Sequence, residues 1–271
     1  PLILLLVSVS WIPLIIKWHF LLKNSRINVP LTKSIAIFFS GSAFEITPGQ
    51  IGILIKSQLL KTSSNISRTK TVPIVIVEKI YDLIGAILAS VIGIIILGME
   101  FYLIIIAISV LATIFFFMYH RRSSELVFNR ITKLKFFSKY IDNMSEFYEV
   151  VKKSTNVKAA TICILLALTY WFIISAAAYY TLIAFDVNLL DYLKVLAIYA
   201  TSTLLGAISF IPGGIGITEG SIAGLFTLNG VDVSTALILG VMIRVLTLWY
   251  SVSVGFISLK FTGGLSLKQN S

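Results

Sequence analysis

Two short Pro-Gly segments are places where the backbone itself could bind an anion. Both follow a PGxxG pattern and lie inside longer apolar regions, and their residues are Pro48, Gly49 and Gly52 in the first and Pro212, Gly213, Gly214 and Gly216 in the second. Proline removes a backbone donor and glycine adopts non-helical dihedral angles, so regions 31–60 and 192–230 are each predicted to be two helical pieces joined by an unwound turn. A half-helix that begins after such a turn presents free N–H groups and a positive dipole end to an anion such as a lipid phosphate. The alternative is a kink that only helps helices pack.

Three ionisable residues lie close together within the apolar stretch 72–98. Lys79 is three residues before Asp82 and Glu78 is four before it, so all three can share one helix face. Ionisable groups inside a membrane are costly and must face a partner or water. The trio is therefore a candidate binding site, and the alternative is a structural salt-bridge cluster near the inner interface.

Arg244 is the second candidate cation, about halfway along the apolar stretch 233–260. Its permanent charge and several donors suit a phosphate or a buried carboxylate. Glu219 is the nearest acid in the sequence and is a candidate partner. We expect Arg244→Ala to abolish binding more than folding, unless an Arg244–Glu219 pair only holds the structure together. Lys56 and Glu45, on either side of the first turn, are weaker candidates because Lys56 could extend to the inner surface.

The composition excludes a soluble protein. The chain has 271 residues, of which 57% are hydrophobic and 13% charged, and a mean hydropathy of +0.95. A soluble domain of this size cannot hide so much apolar surface. Segments long enough to cross a bilayer are 1–22, 72–98, 100–119, 158–185 and 233–260. The predicted fold class is an all-α integral membrane protein, a polytopic helical bundle with two Pro-Gly-broken, re-entrant hairpins.

The charges between these segments predict the orientation of the chain. Lys and Arg number 22 against 12 Asp and Glu, and they cluster at 23–33, 56–70, 120–158 and the C-terminus. By the positive-inside rule these parts are cytoplasmic and the protein lies in the plasma membrane, whereas the acidic turns at 100 and 186–191 are external.

This orientation makes the two turns enter the membrane from opposite faces, which is typical of an inverted repeat. Lys79 lies 31 residues after Pro48 and Arg244 lies 32 after Pro212, which fits the same pairing. The alternative is that residues 192–211 span the membrane completely.

We interpret residues 1–271 as a single transmembrane domain. It opens at Pro1 inside an apolar stretch, which indicates a fragment or a trimmed numbering. The linker 120–157 is predicted to form an amphipathic helix on the inner leaflet, and its apolar positions are Val127, Ile131, Leu134, Ile141, Met144, Tyr148 and Val151. A solvated connector is the alternative.

Several kinds of chemistry lack their motifs in this sequence. Cys163 is the one cysteine, so neither a disulfide nor a cysteine-based metal site is expected. The sequence contains no GxxxxGK[ST] phosphate loop and no HExxH pair. We therefore expect no catalytic residues, no cofactor and no bound metal. Lipid headgroups explain the net charge of +10 more simply than nucleic acid does.

Four motifs in order carry a resemblance to a known family. They are "PGQIGILIKSQLL" (48–60), "EKIYDLIGAI" (78–87), "PGGIGITEGSIAGLFTLNGV" (212–231) and "ALILGVMIRVLTLWYSVSVG" (236–255). From about residue 11 to 260 the chain resembles the flippase-like membrane domains related to the transmembrane region of lysylphosphatidylglycerol synthetase, an uncharacterised multi-spanning family of bacteria and archaea. It is also similar to the membrane portion of some archaeal dolichol-phosphate glycosyltransferases.

The resemblance implies a function and also shows two departures. The family pattern has a glutamate where this chain has Ile53 and a basic residue where it has Thr218. The implied role is to move or present an anionic lipid, or a polyprenyl-phosphate-linked lipid, between leaflets. In the synthetases a separate soluble domain performs aminoacyl transfer, so the resemblance assigns no enzyme activity here.

The leading hypothesis is a lipid translocase whose partners are membrane lipids. The alternatives are a secondary transporter of a small soluble anion, and a membrane anchor that recruits a cytoplasmic glycosyl- or aminoacyltransferase. The oligomeric state stays open.

Overall fold

A computed structural model describes residues 1–48, 52, 54–96, 105, 108–114, 116 and 144–262. All regular elements in these ranges are helical, which confirms the all-α class. The helices are α1 (Leu2–Asn24), α2 (Leu31–Ser42), α3 (Ile55–Ser64), α4 (Arg68–Ile96), α5 (Met144–Ser154), α6 (Val157–Ala184), α7 (Tyr192–Ile208), α8 (Ile217–Leu228) and α9 (Val233–Phe261). The predicted span 100–119 lies largely outside the described residues.

Three helices of the described part are long and apolar enough to cross a membrane. They are α1 with 23 residues, α6 with 28 and α9 with 29. The helix α4 also has 29 residues, and Glu78, Lys79 and Asp82 lie near its middle. Length and composition therefore support membrane insertion.

Both predicted interruptions of the helices are present. The first separates the end of α2 at Ser42 from the start of α3 at Ile55, and the second separates Ile208 of α7 from Ile217 of α8. A short 3-10 turn, Pro212–Gly214, lies within the second. The three glycines of this second interruption have positive φ angles, which are 61° for Gly213, 64° for Gly214 and 84° for Gly216. Glycine adopts these angles without a steric penalty, so the PGGxG sequence permits this turn.

The helices that follow the two interruptions pack reciprocally. The helix α4 follows the first and packs against α7, which precedes the second. The helix α9 follows the second, and its C-terminal half packs against α2, which precedes the first. Small residues permit close approach: a Cβ on Gly255 of α9 would collide with the backbone nitrogen of Ala43, and one on Gly240 would lie 2.7 Å from the carbonyl oxygen of Glu219. The two broken regions are therefore held against each other.

The helix α5 is the described part of the predicted linker helix, and its apolar face is covered by protein. Phe147, Val150 and Val151 are buried, and α5 packs mainly on α4. The hydroxyl of Tyr81 in α4 donates a 3.0 Å hydrogen bond to the carbonyl oxygen of Ser154. The amphipathic pattern of α5 therefore serves helix packing, and the contact of the linker with the inner leaflet stays a prediction. Residues 120–143 of the linker lie outside the described residues.

Candidate functional site

One cavity of about 320 Å³ lies between the two interruptions. Its lining includes Thr47, next to Pro48 in the first interruption, and Gly213 and Gly214 in the second. A Cβ built on Gly213 would lie 3.6 Å from the Cα atom of Ile46, so the two interruptions touch. The described parts of the two interruptions therefore meet at this cavity.

A cluster of four alternating charges lies on the side of the first interruption. Lys79 Nζ is 3.6 Å from Glu45 Oε1 and 3.8 Å from Asp82 Oδ2. Asp82 also contacts the ammonium group of Lys17, a fully buried residue of α1. The side chains of Lys79 and Glu45 are each 26% exposed, and both line the cavity together with Asp82. Lys79 therefore presents a cation to the cavity without a short hydrogen bond to either carboxylate.

The trio predicted to share one face is divided between two sites. Glu78 points away from the cavity lining and binds Lys56, whose Nζ is 3.0 Å from both carboxylate oxygens. This Nζ also lies 4.8 Å from the ring centroid of Trp18 and 4.7 Å from that of Phe38, which are cation–π distances. Lys56 is 3% exposed, so it does not extend to the surface as the alternative interpretation had it. The carboxylate and the two rings stabilise the ammonium group within the protein, so it does not need to be hydrated.

Arg244 forms the predicted pair with Glu219 and also holds the second turn. Its Nε donates to Glu219 Oε1 at 3.0 Å, and its Nη2 donates to the carbonyl oxygen of Gly213. The other carboxylate oxygen of Glu219 accepts a 2.7 Å hydrogen bond from the backbone N–H of Gly216. Arg244 is 6% exposed. The side chains of Arg244 and Glu219 and the backbone of the PGGxG turn are therefore bound to one another, an arrangement that we call the clamp. The guanidinium group stabilises the turn.

The backbone donors of the second turn are largely satisfied within the turn. Gly214 donates to the carbonyl oxygen of Ile211 at 2.8 Å, and Ile215 donates to that of Pro212 at 3.3 Å. The carboxylate of Glu219 occupies the positive N-terminal end of α8, where an anion is stabilised. The protein therefore supplies its own anion at the place where the sequence predicted a lipid phosphate.

The first turn is described only in part. The N–H of Gly52 donates to Thr47 Oγ1 at 2.8 Å, and a Cβ on Gly52 would lie 2.7 Å from the Cβ of Phe44. Glycine is therefore needed here for space. Gly49 lies outside the described residues.

Aromatic residues that the sequence did not single out as site residues also line the cavity. Trp171 and Tyr170 of α6 and Tyr199 of α7 form one wall, and the rings of Trp171 and Tyr199 are 6.0 Å apart. Lys17 was likewise missed as a partner of Asp82. An apolar helix with scattered aromatic residues gives no signal that separates cavity lining from packing, so the sequence offered no means to find them.

The rim of the cavity is apolar and exposed. Phe210 is 73% exposed and Ile211 is 40% exposed, and both belong to the cavity lining. The φ angle of Phe210 is 55°, a left-handed conformation that is rare for a bulky residue. The same cavity thus joins a charged inner wall to an apolar opening.

Comparison with known proteins places the chain in a family. The model of the lysylphosphatidylglycerol synthase TM region matches residues 1–255. A UPF0104 membrane protein of Pyrococcus horikoshii is 26% identical over 269 residues, which cover 89% of this chain and 80% of that protein. A UPF0104 membrane protein of Methanocaldococcus jannaschii is 25% identical over 221 residues, which cover 78% of this chain and 90% of that protein. The chain belongs to the family of membrane proteins defined by the lysylphosphatidylglycerol synthase TM region.

Proposed function

We propose that this protein is a lipid translocase that moves or presents an anionic phospholipid, or a polyprenyl-phosphate-linked lipid, between leaflets. The observation that carries the proposal is the pairing of a charged inner wall with an exposed apolar rim in one cavity. A lipid has the same two parts, a charged headgroup and apolar chains. A small soluble anion has no apolar chains that could contact the apolar rim of the cavity.

The lipid phosphate binds at Lys79 in this proposal. Its ammonium group lies 3.6 Å and 3.8 Å from two carboxylates, so a phosphate oxygen can approach without displacing a short hydrogen bond. The acyl chains leave past Phe210 and Ile211 and remain in the bilayer. Arg244 also lines the cavity, and in this proposal it acts by holding the turn that carries Gly213.

The reciprocal packing of α4 with α7 and of α9 with α2 supports an inverted repeat with two re-entrant hairpins. We place the basic ends of the helices in the cytoplasm and the protein in the plasma membrane by the positive-inside rule. The sequence has no nucleotide-binding loop, so transport is passive or driven by an ion gradient. The proposal includes no catalytic step, cofactor or nucleic acid.

A translocation assay in proteoliposomes tests the proposal. Fluorescent phosphatidylglycerol and phosphatidylcholine are incorporated, and the fraction that a membrane-impermeant quencher reaches is followed with time. We expect the wild type to move phosphatidylglycerol. The rate of Lys79→Gln is expected to be at least about tenfold lower, because the free energy of one hydrogen bond to a charged group corresponds to about that factor. Lys158→Gln, which removes an exposed lysine at the start of α6, is the matched control and keeps the rate. Equal movement by Lys79→Gln and the wild type would overturn the assignment of the site.

A secondary transporter of a small soluble anion is the second candidate, because a volume of about 320 Å³ also suits a small molecule. Uptake of radiolabelled phosphate into the same proteoliposomes separates the two. Phosphate uptake without lipid movement would favour the transporter. Neither activity from a folded protein would favour the membrane anchor for a cytoplasmic transferase.

A further inference from the structure

The charges around Lys79 cancel before any ligand binds. Lys17 and Lys79 contribute two positive charges, and Glu45 and Asp82 contribute two negative charges. A phosphodiester that binds to Lys79 adds one more negative charge inside an apolar bundle. An uncompensated charge there is costly, so binding is favoured by anything that restores neutrality.

Asp82 and Glu45 differ in the ion pairs that remain to them when a ligand binds Lys79. Asp82 retains its contact with the buried ammonium group of Lys17. Glu45 forms an ion pair only with Lys79 among the described residues. A carboxylate that loses its cation beside a new negative charge favours its neutral form. Glu45 is therefore the group that can take up a proton.

Among the residues that the structure describes, no other cation near Glu45 is free of a carboxylate partner and able to substitute for Lys79. On α3, Lys56 is bound by Glu78 of α4, and on α9, Arg244 is bound by Glu219 of α8. Tyr170 on α6 and Tyr199 on α7 also line the cavity, but they carry no positive charge. On α1, Lys17 is held by Asp82.

We infer that the cavity binds an anion and a proton together, with Glu45 as the proton-binding group. The inference rests on the proposed function and adds its coupling ion. A phosphodiester oxygen replaces Glu45 as the ion-pair partner of Lys79, and a carboxylate oxygen of Glu45 forms an O–H bond with a proton that the buffered solution supplies. No bond of the anion breaks. When the anion leaves, Glu45 returns the proton to the solution and Lys79 pairs with Glu45 again.

Calorimetric titration of the purified protein with glycerophosphoglycerol tests the inference. This soluble phosphodiester does not itself titrate between pH 5 and 8, so proton uptake belongs to the protein. Repeating the titration in buffers of different ionisation heat measures the protons taken up. We expect about one proton per anion and an affinity that falls by up to about tenfold per pH unit as the pH rises.

Variants of Glu45 decide whether the proton binds there. Glu45→Gln is expected to abolish proton uptake and flatten the pH dependence, and Glu45→Asp is expected to restore both. Glu149→Gln, which removes an exposed carboxylate on α5, is the matched control and keeps both.

Binding by the wild type without proton uptake, or uptake that persists in Glu45→Gln, would overturn the inference. Binding that does not depend on pH overturns proton coupling alone and leaves the proposed function standing, whereas a folded wild type that neither binds the phosphodiester nor moves lipid overturns both. If Glu45→Gln does not fold, co-transport of protons with lipid by the wild type, followed with an entrapped pH-sensitive dye, decides in its place.

Discussion

The two broken regions share one feature, a buried ion pair that ties the region to a neighbouring helix. In the first region Lys56 of α3 binds Glu78 of α4, and in the second Glu219 of α8 binds Arg244 of α9. Each pair is buried or nearly so, with side-chain exposures of 4% and 2% in the first and 7% and 16% in the second. Each holds its interruption in place against the helix that follows.

They differ in what remains for a ligand. The first region has a second cation, Lys79, which faces the cavity and is shared loosely between two carboxylates. In the second region Arg244 also lines the cavity, but its Nε and Nη2 atoms bind Glu219 and the Gly213 carbonyl oxygen of the turn itself. Two cations at nearly the same distance after a Pro-Gly turn therefore have different tasks. The partner of a buried cation decides its role more than its position in the sequence does.

The largest effect is expected from breaking the pair of the first region. Lys56→Met leaves the carboxylate of Glu78 buried without a partner, which costs about 3–5 kcal/mol of the free energy of unfolding. Cys163 is buried and is the one cysteine, so its labelling by a thiol-reactive dye during heating reports unfolding. We expect the midpoint to fall by about 10 °C.

The double variant Lys56→Met with Glu78→Met separates the loss of a partner from the loss of packing. It removes both charges and is expected to recover most of the midpoint. A double variant as unstable as the single one would show that the aromatic packing around Lys56, and not the charge pair, stabilises the region.

Breaking the clamp of the second region is the next largest effect. Arg244→Ala leaves Glu219 and the Gly213 carbonyl oxygen without their donor, and we expect a loss of about 3 kcal/mol, at the low end of the range because Glu219 is 16% exposed. The sequence predicted that this change would affect binding more than folding, and the clamp reverses that expectation. A folded Arg244→Ala protein of normal thermal midpoint that loses lipid binding would restore Arg244 as the phosphate ligand.

A smaller effect is expected at the glycine that closes the first turn. In Gly52→Ala the new Cβ meets Phe44 and Thr47 at 2.7 Å, so the turn must shift, at a cost of about 1–3 kcal/mol. Gly220→Ala on α8 is the matched control, because a Cβ there meets no atom within 4 Å. The same thiol-labelling assay compares the two, and equal midpoints would show that the first turn tolerates a shift.

The smallest effect on stability is expected at Lys79. Its side chain and that of Glu45 are each 26% exposed, its ion pairs are long and Asp82 keeps its contact with Lys17, so the negative charge left on Glu45 is not fully buried. Lys79→Gln is therefore expected to change the free energy of unfolding by no more than about 1 kcal/mol. Transport falls while the thermal midpoint stays near that of the wild type. A midpoint as low as that of Lys56→Met would make Lys79 a third structural cation and remove the contrast between the regions.

Much of this arrangement follows from local sequence. The helical class follows from long apolar segments, the interruptions from PGxxG, and the Arg244–Glu219 pair from the scarcity of acids near a deep arginine. These features depend on local backbone chemistry or on a very short list of available partners.

The remaining contacts depend on how helices rotate and at what depth they cross. The contact of Lys17 with Asp82 joins residues 65 positions apart. The separation of Glu78 from Lys79 follows from packing α3 on one side of α4 and the cavity on the other. The covered face of α5 required a partner helix that its own amphipathic pattern does not identify. Spacing alone places residues on a face but does not say what that face meets.

A crystal structure grown from a lipidic mesophase that contains phosphatidylglycerol tests the central claim most directly. We expect a lipid phosphate within hydrogen-bond distance of Lys79 Nζ and acyl chains that pass Phe210. Arg244 is expected to remain bound to Glu219 and to the Gly213 carbonyl oxygen. A phosphate bound by Arg244, with Glu219 displaced and Lys79 still paired with Glu45, would contradict it.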